Sequence, residues 1–167
     1  MSKRKTMTLE EIEHHFGRLD YRELTGGWVE LQGAFEDRFL ISVELPCIYK
    51  PRRMHRKIMP SVSKALHVIE RNAEFDPDYE YIEEMQFWAP RHIAYDKKRR
   101  LSSHTWGIAF DINPWENMPG ASNPAIPDKI VQIFENVGFI WGGRFSNKDY
   151  MHFEPRPDFF DFENRWI

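Results

Sequence analysis

The chain has little cysteine, little net charge and no long apolar stretch, and each shortage excludes a class of protein. Its 167 residues contain one cysteine, Cys47, which excludes an internal disulfide framework and a cysteine-based zinc site. Lysine and arginine total 23 against 26 acidic residues, and a net charge of −3 gives no overall field that attracts nucleic acid or a membrane. No apolar run exceeds three residues, so we expect no transmembrane helix and no secretory signal.

The remaining composition indicates a globular domain that is rich in aromatic residues. The length is that of one domain, and 41% apolar with 29% charged residues is typical of a folded chain. Aromatic residues make up 15%, which predicts a dense core or a stacking surface. We interpret residues 1–45 as an N-terminal extension, a helix plus a hairpin packed on the domain, and residues 46–167 as the domain proper.

Local patterns predict an α+β fold, with a small antiparallel sheet packed against two main helices. Thr8 and Glu11 form a capping-box pattern that starts a short helix at residue 9, and Gly17 ends it. Pro60 and Pro127 stand where the two main helices should begin, and Gly138 closes the second. Alternating or short apolar segments predict strands at residues 28–32, 38–45, 79–88, 107–113, 139–141 and 150–154.

Two segments of the second half carry residues suited to metal chemistry, and the first is residues 102–111. On a strand from Gly107, the period of two places Asp111 on one face with Gly107 and Ala109, whereas Phe110 points the other way. A buried carboxylate is costly unless a cation or metal accompanies it. His104 lies just before this strand, where its imidazole could approach Asp111.

The second segment is residues 149–154, in which His152 and Glu154 share one face of a predicted strand. Together, His104, Asp111 and His152 provide three ligands with one open position, the pattern of a catalytic zinc site. Spacing alone leaves open that these histidines are structural. The His-Glu-x-x-His pattern of many metallopeptidases is absent from the sequence.

The two segments resemble the signature of the D-alanyl-D-alanine carboxypeptidase family of zinc peptidases. That family includes the vancomycin-resistance dipeptidases and the phage L-alanyl-D-glutamate endolysins, and it shares its fold with the hedgehog signalling domain. The resemblance spans about residues 53–155. It is carried by Ser102-x-His104-x-x-Gly107-x-Ala109-x-Asp111, followed by Asp149-x-x-His152.

The resemblance implies one Zn²⁺ per chain, bound by His104, Asp111 and His152. It also implies that Asp149 is the general base, in a position where the dipeptidases carry glutamate and several endolysins carry aspartate. Glu154 is a rival acid–base residue because it shares the face of His152, but the two are about 6.6 Å apart along the strand.

Two further positions are assigned by the resemblance, one to the chemistry and one to substrate binding. Arg91 corresponds to the arginine that polarises the scissile carbonyl. Ser102 corresponds to a serine that contacts the substrate, although a turn residue bonded to its own backbone is an equal alternative. We expect the neighbouring His92 at the surface and Cys47 in the core.

The resemblance predicts a zinc metallopeptidase that hydrolyses peptide bonds of bacterial peptidoglycan, as an endolysin-type endopeptidase or as a D-alanyl-D-alanine carboxypeptidase. Its partner would be the peptidoglycan stem peptide, with no nucleic acid and no membrane insertion, and the chain is expected to be a monomer. Without a signal peptide, it would be made in the cytoplasm and reach the cell wall by phage-type release. The alternatives are a zinc-binding hedgehog-like interaction module without activity, or a structural phage component.

Two basic segments, residues 50–57 and 97–100, are either solvated surface or an attraction for the carboxylates of an anionic substrate. Substrate choice is expected to depend on loops such as residues 114–127.

Overall fold

The computed structural model describes residues 6–121 and 125–163. Within these ranges it contains five α-helices, eight short strands and several 3-10 turns. The helices are α1 (Leu9–Phe16), α2 (Phe35–Phe39), α3 (Met59–Ala73), α4 (Asp128–Asn136) and α5 (Phe159–Glu163). The strands are β1 (Asp20–Glu23), β2 (Val29–Gln32), β3 (Leu40–Leu45), β4 (Ile48–His55), β5 (Met85–Gln86), β6 (Phe110–Ile112), β7 (Phe139–Trp141) and β8 (His152–Pro155).

The strands form two hairpins and one four-stranded sheet, all antiparallel. Strands β1 and β2 pair in the first hairpin, and β3 and β4 pair in the second. The larger sheet has the order β5-β6-β8-β7. Antiparallel strands combined with separate helices make this an α+β fold, as the sequence predicts.

Alternation along β6 and β8 separates the core from the site. Phe110 lies opposite Phe153, and their rings stack with centroids 5.2 Å apart. Phe134 of α4 covers this pair, with its ring centroid 4.9 Å from that of Phe110. The next residue pair along the two strands is Asp111 and His152. Because successive side chains point to opposite faces, the aromatic core on one side places these two polar side chains on the other.

The two main helices form where the sequence predicts them. Helix α3 buries Val62, Leu66 and Ile69 at helical spacing, and Pro60 lies in its first turn. Helix α4 begins directly after Pro127, and it packs against α3 and β7. Gly138 follows it with a positive φ of 101°, which directs the chain into β7.

Helix α1 is joined to the rest of the chain by hydrogen bonds at its C-terminal end, one of them from the Lys57 ammonium to the His15 carbonyl. The predicted capping box is present, with the Thr8 backbone and Glu11 carboxylate 2.8 Å apart. At the other end, the carbonyl oxygen of Phe16 accepts from His55, and that of Gly17 accepts from the Trp106 indole. The boundary between an extension and a domain at residue 46 stays a prediction.

Several predicted strands are shorter than expected, for local reasons. Only Met85–Gln86 of residues 79–88 pair, because Asp76 and Pro77 start a 3-10 turn that occupies residues 77–81. The segment 107–113 pairs only from Phe110, because Gly107 is left-handed and ends a 3-10 turn. The strand expected at residues 38–45 begins at Leu40, after α2, and the strand expected from residue 150 begins at His152.

One burial prediction was wrong, and two strands were not predicted. Cys47 is exposed, because it occupies the β3–β4 turn with a positive φ of 63°. The sequence did not predict β1, which is exposed along its whole length, or β4, which contains residues 50–55 of the first basic segment. None of the helices described is long and apolar enough to cross a bilayer.

Candidate metal centre

Three side-chain donor atoms meet on the face of β6 and β8 that lies opposite the aromatic core. His152 Nδ1 lies 3.2 Å from Asp111 Oδ1, and His104 Nε2 lies 3.2 Å from each of them. These residues could hold a metal ion. A tetrahedral zinc ion with ligands at 2.0–2.1 Å requires donor atoms about 3.3 Å apart, so the triangle fits zinc without rearrangement.

The three donors come from different parts of the fold. Asp111 and His152 are direct cross-strand neighbours on β6 and β8. His104 belongs to the 3-10 turn Ser103–Trp106, which ends at the left-handed Gly107 and returns the chain towards β6. All three side chains are buried, with exposures of 2%, 6% and 9% for His104, Asp111 and His152.

A second layer of contacts orients both histidines. His104 Nδ1 lies 2.6 Å from the Phe87 carbonyl oxygen, which leaves Nε2 for the centre. His152 Nε2 lies 3.2 Å from Glu154 Oε2, which leaves Nδ1 for the centre. Ser103 donates its hydroxyl to the same Glu154 oxygen at 2.6 Å. Metal-binding histidines commonly give their second nitrogen to a carbonyl or carboxylate in this way.

The position of Glu154 differs from the one expected for a rival acid–base residue. It lies behind the His152 imidazole, since that ring presents Nδ1 to Asp111 and Nε2 to Glu154. Residues two apart along a strand share a face, and the Glu154 side chain is long enough to bring its carboxylate to the His152 ring. Glu154 is therefore placed to orient His152.

The charges of the cluster support one another. Burial opposes ionisation of Asp111, but His104 and His152 hold the pKa of its carboxyl far below the usual range. Burial also disfavours an imidazolium at His152, yet its hydrogen bonds to Asp111 and Glu154 raise its pKa to about 10. In Glu154, burial is likewise outweighed by the bonds from His152 and Ser103, which lower the pKa.

Asp149 is close enough to the three donor residues for their charges to act on its pKa. Its Oδ1 is buried and has no hydrogen-bond partner within residues 6–121 and 125–163. Burial raises the pKa of Asp149, while His152, His104 and Arg91 act on it in the opposite direction. Such an orphaned acceptor in a buried position requires an explanation, and a ligand or water in the centre supplies one.

A glycine allows the Asp149 loop to lie close to β7. Gly142 accepts from the Asp149 backbone N–H at 3.3 Å, and the His152 N–H donates to the Asp149 carbonyl at 3.2 Å. A Cβ on Gly142 would overlap that carbonyl oxygen. The absence of a side chain at Gly142 therefore sets the approach of Asp149 to the metal donors.

The backbone of Arg91 is bonded to the turn that carries His104. Its N–H donates to Thr105 Oγ1 at 3.1 Å, and its carbonyl accepts from the Ser102 N–H at 2.9 Å. Arg91 is half-buried, and its positive charge acts to lower the pKa of Asp149. Ser102 Oγ accepts from the His104 N–H at 3.4 Å, so the turn-residue alternative has a counterpart in the structure, and substrate contact by Ser102 stays a prediction.

His92 is not at the surface as expected. It is 4% exposed, with Nδ1 placed 2.7 Å from the Arg99 carbonyl and Nε2 placed 2.9 Å from Glu23 Oε1. The sequence analysis missed this contact because Glu23 belongs to β1, far away in the chain. It also missed the roles of Ser103 and the Phe87 carbonyl. Only the alternation of His152 and Glu154 gave a signal for the second layer.

Comparison with known proteins supports the interpretation over part of the chain. Residues 96–155 match the family model described as D-alanyl-D-alanine carboxypeptidase. The resemblance predicted from the two motifs is confirmed over this segment, which contains the three donors and Asp149 but begins after Arg91. No curated protein and no solved structure matches the chain.

Proposed function

We propose that this chain, whose residues 96–155 match the D-alanyl-D-alanine carboxypeptidase family, is a zinc peptidase that cleaves peptides of the bacterial cell wall. The family match supports a peptidase. The observation that carries the proposal is a donor triangle of zinc dimensions beside a buried carboxylate oxygen that has no partner among the described residues.

His104, Asp111 and His152 would hold the metal and leave a fourth position for water or substrate. A zinc ion held there would act as a Lewis acid and bring the pKa of bound water near 7. The outward nitrogens of both histidines are already engaged, so their rings need no reorientation.

Asp149 would accept the proton of the attacking water and return it to the leaving amine. Its Oδ1 makes no hydrogen bond within the described part of the chain, and burial raises its pKa towards the working pH, which suits a general base. Arg91 would stabilise the negative charge that develops on the carbonyl oxygen of the substrate. Ser102, which caps the turn that carries His104, would contact the substrate.

The proposed substrate is the stem peptide of peptidoglycan. An endopeptidase that cuts between L-alanine and D-glutamate and a carboxypeptidase that removes D-alanine would use the same residues. Both substrates carry carboxylates, which the basic residues 97–100 near His104 would attract. Part of the loop 114–127, on which substrate choice was expected to depend, lies outside the described residues.

The test measures new amino groups released from purified peptidoglycan, with product masses, together with zinc content. The variants are His152→Ala and Asp149→Asn, and Asp37→Asn on exposed α2 is the matched control. We expect His152→Ala to lose both zinc and activity. Asp149→Asn should keep zinc and lose about 10²- to 10⁴-fold in rate, because it removes only the proton acceptor.

The outcomes separate the proposal from its alternatives. A folded wild-type chain that binds one zinc and releases nothing from any peptidoglycan would favour the inactive zinc-binding module. A chain that binds no zinc under metal-replete conditions would refute the ligand assignment. Product masses with a free D-glutamate amine, or with released D-alanine, identify the bond that is cut.

A further inference from the structure

The first hairpin is hydrogen-bonded to the segment that carries Arg91. The Val29 N–H donates to the Pro90 carbonyl at 2.9 Å, and the His92 N–H donates to the Gly27 carbonyl at 2.8 Å. Between these bonds, Trp28 and Arg91 form an isolated antiparallel bridge. The hairpin connection therefore pairs with the arginine segment as a short additional strand would.

The Arg91 guanidinium lies over one aromatic ring, and a second ring packs against the first. The guanidinium carbon is 4.8 Å from the centre of the Tyr95 ring, and the Trp28 ring meets Tyr95 edge-on with centroids 5.2 Å apart. Trp28 is 41% exposed and Tyr95 is 48% exposed, so neither ring is part of the core. A cation over an aromatic face is attracted by the ring quadrupole, which restricts where the guanidinium can lie.

The backbone beneath Tyr95 is held in an unfavourable conformation. Ala94 and Tyr95 have positive φ angles of 53° and 57°, a pair of left-handed residues that both carry a Cβ. Gly27 packs so closely against Tyr95 that a Cβ on Gly27 would overlap the Tyr95 carbonyl. Strained backbone conformations persist where neighbouring structure enforces them, and the first hairpin is the structure that packs against Tyr95.

The buried His92 side chain holds the same segment from its other side. His92 lies between the Glu23 carboxylate of β1 and the Arg99 carbonyl. Lys97 also lies 3.7 Å from Glu23. The hairpin thus contacts residues on both sides of Tyr95.

We propose that Tyr95 and Trp28 are positioning residues, through which the N-terminal hairpin holds the Arg91 guanidinium towards Asp149 and the metal donors. This inference rests on the proposed function, in which Arg91 acts on the substrate carbonyl. It assigns a role to residues 20–32, which lie outside the family match at residues 96–155. Without the ring, a long hydrogen bond of 3.4 Å from Arg91 Nη1 to the His92 carbonyl would be left to hold the guanidinium. A misplacement of about 1 Å in a reacting group can cost about 10²-fold in rate.

The kinetic test compares Tyr95→Leu, Tyr95→Phe and Trp28→Leu on soluble peptidoglycan fragments. Tyr49→Leu is the matched control, because Tyr49 is fully exposed on the second hairpin. We expect Tyr95→Leu to lower kcat by about 5- to 100-fold with an unchanged zinc content and a smaller change in KM. Tyr95→Phe keeps the aromatic face and should retain most of the wild-type kcat. Trp28→Leu should give an intermediate loss of kcat.

A double-mutant cycle shows whether Tyr95 acts through Arg91. In an Arg91→Ala background, Tyr95→Leu should change kcat by less than about twofold, because the group it positions is gone. An undiminished loss in that background would overturn the inference, since Tyr95 would then act independently of Arg91. An equal loss in Tyr95→Phe and Tyr95→Leu would also overturn it.

An activity-independent measurement separates this inference from the proposed function. The Tyr95 ring current should shift the side-chain Nε–Hε resonance of Arg91 in NMR spectra. The shift should be kept in Tyr95→Phe and in Tyr49→Leu and be lost in Tyr95→Leu. An inactive wild type with this pattern would refute the peptidase while leaving the positioning intact, whereas an unchanged Arg91 resonance in Tyr95→Leu would refute the positioning.

Discussion

His55 joins the end of α1 to the second hairpin, and acid should destabilise the protein through it. Its Nδ1 lies 3.1 Å from the Lys57 N–H, which can only donate, so Nε2 carries the proton and donates to the Phe16 carbonyl at 3.0 Å. The side chain is fully buried and stacks on the Phe39 ring. Burial, opposed only by the Phe16 bond, lowers the pKa of His55 from 6.5 to about 4.

The direction and size of the effect follow from linkage. The unfolded chain takes up a proton at His55 near pH 6.5, whereas the folded chain takes it up only near pH 4. The stabilisation is therefore fully present above pH 6.5 and is lost as the pH falls through the interval between these values. The whole interval corresponds to about 3 kcal/mol of unfolding free energy, of which about 2 kcal/mol is lost between pH 7 and pH 5.

The assay is urea unfolding at pH 7, 6 and 5, followed by tryptophan fluorescence, for wild type and His55→Gln. A glutamine can donate to the Phe16 carbonyl and accept from the Lys57 N–H, but it does not titrate. The difference between wild type and variant isolates His55 from the other titrating groups, and it should shrink by about 2 kcal/mol between pH 7 and pH 5. His67→Gln, on an exposed histidine, should show no such change. A difference that is constant across this range would refute the reasoning.

Three other substitutions test the site and its support. Glu154→Gln should lower zinc affinity by about 10- to 100-fold, because it weakens the acceptor that orients His152; competition with a chromophoric chelator measures this, and an unchanged affinity would contradict it. Gly142→Ala should slow peptide release more than it lowers zinc content, because the new Cβ displaces the Asp149 carbonyl. Activity and zinc content are measured on the same samples, and normal values of both would contradict this expectation. Phe110→Ala should lower the unfolding free energy by about 3–5 kcal/mol in urea, since this ring is fully buried at the centre of an aromatic cluster, and a loss under 1 kcal/mol would mean that the cluster is not the core.

The basic features of the fold could be predicted from local patterns. The Thr8 capping box, the prolines ahead of α3 and α4, and the apolar spacing of α3 all act within a few residues, so they are readable in the sequence. The 3-10 turns at residues 77–81 and 103–106 shortened two predicted strands, since side-chain caps and left-handed glycine outweighed the alternation there.

The three donor residues that the structure brings together could be named from the sequence, whereas the contacts that orient them could not. The alternation of Phe110 with Asp111, and of His152 with Phe153, already separated a core face from a polar face. The same period placed Glu154 on the side of His152, but the rotation of the imidazole that brings them into contact is a property of packing.

Residue types and their spacing in the sequence thus determined which side chains could bind a metal and which face of each strand carries them. Tertiary structure decided which of these side chains meet, because the pairing of Asp111 with His152 joins strands separated by 41 residues. It also decided the burial of His92 and the contact of the first hairpin with Arg91. Periodicity is a local property of the chain, whereas strand register and hairpin docking depend on the total free energy of contacts between distant segments.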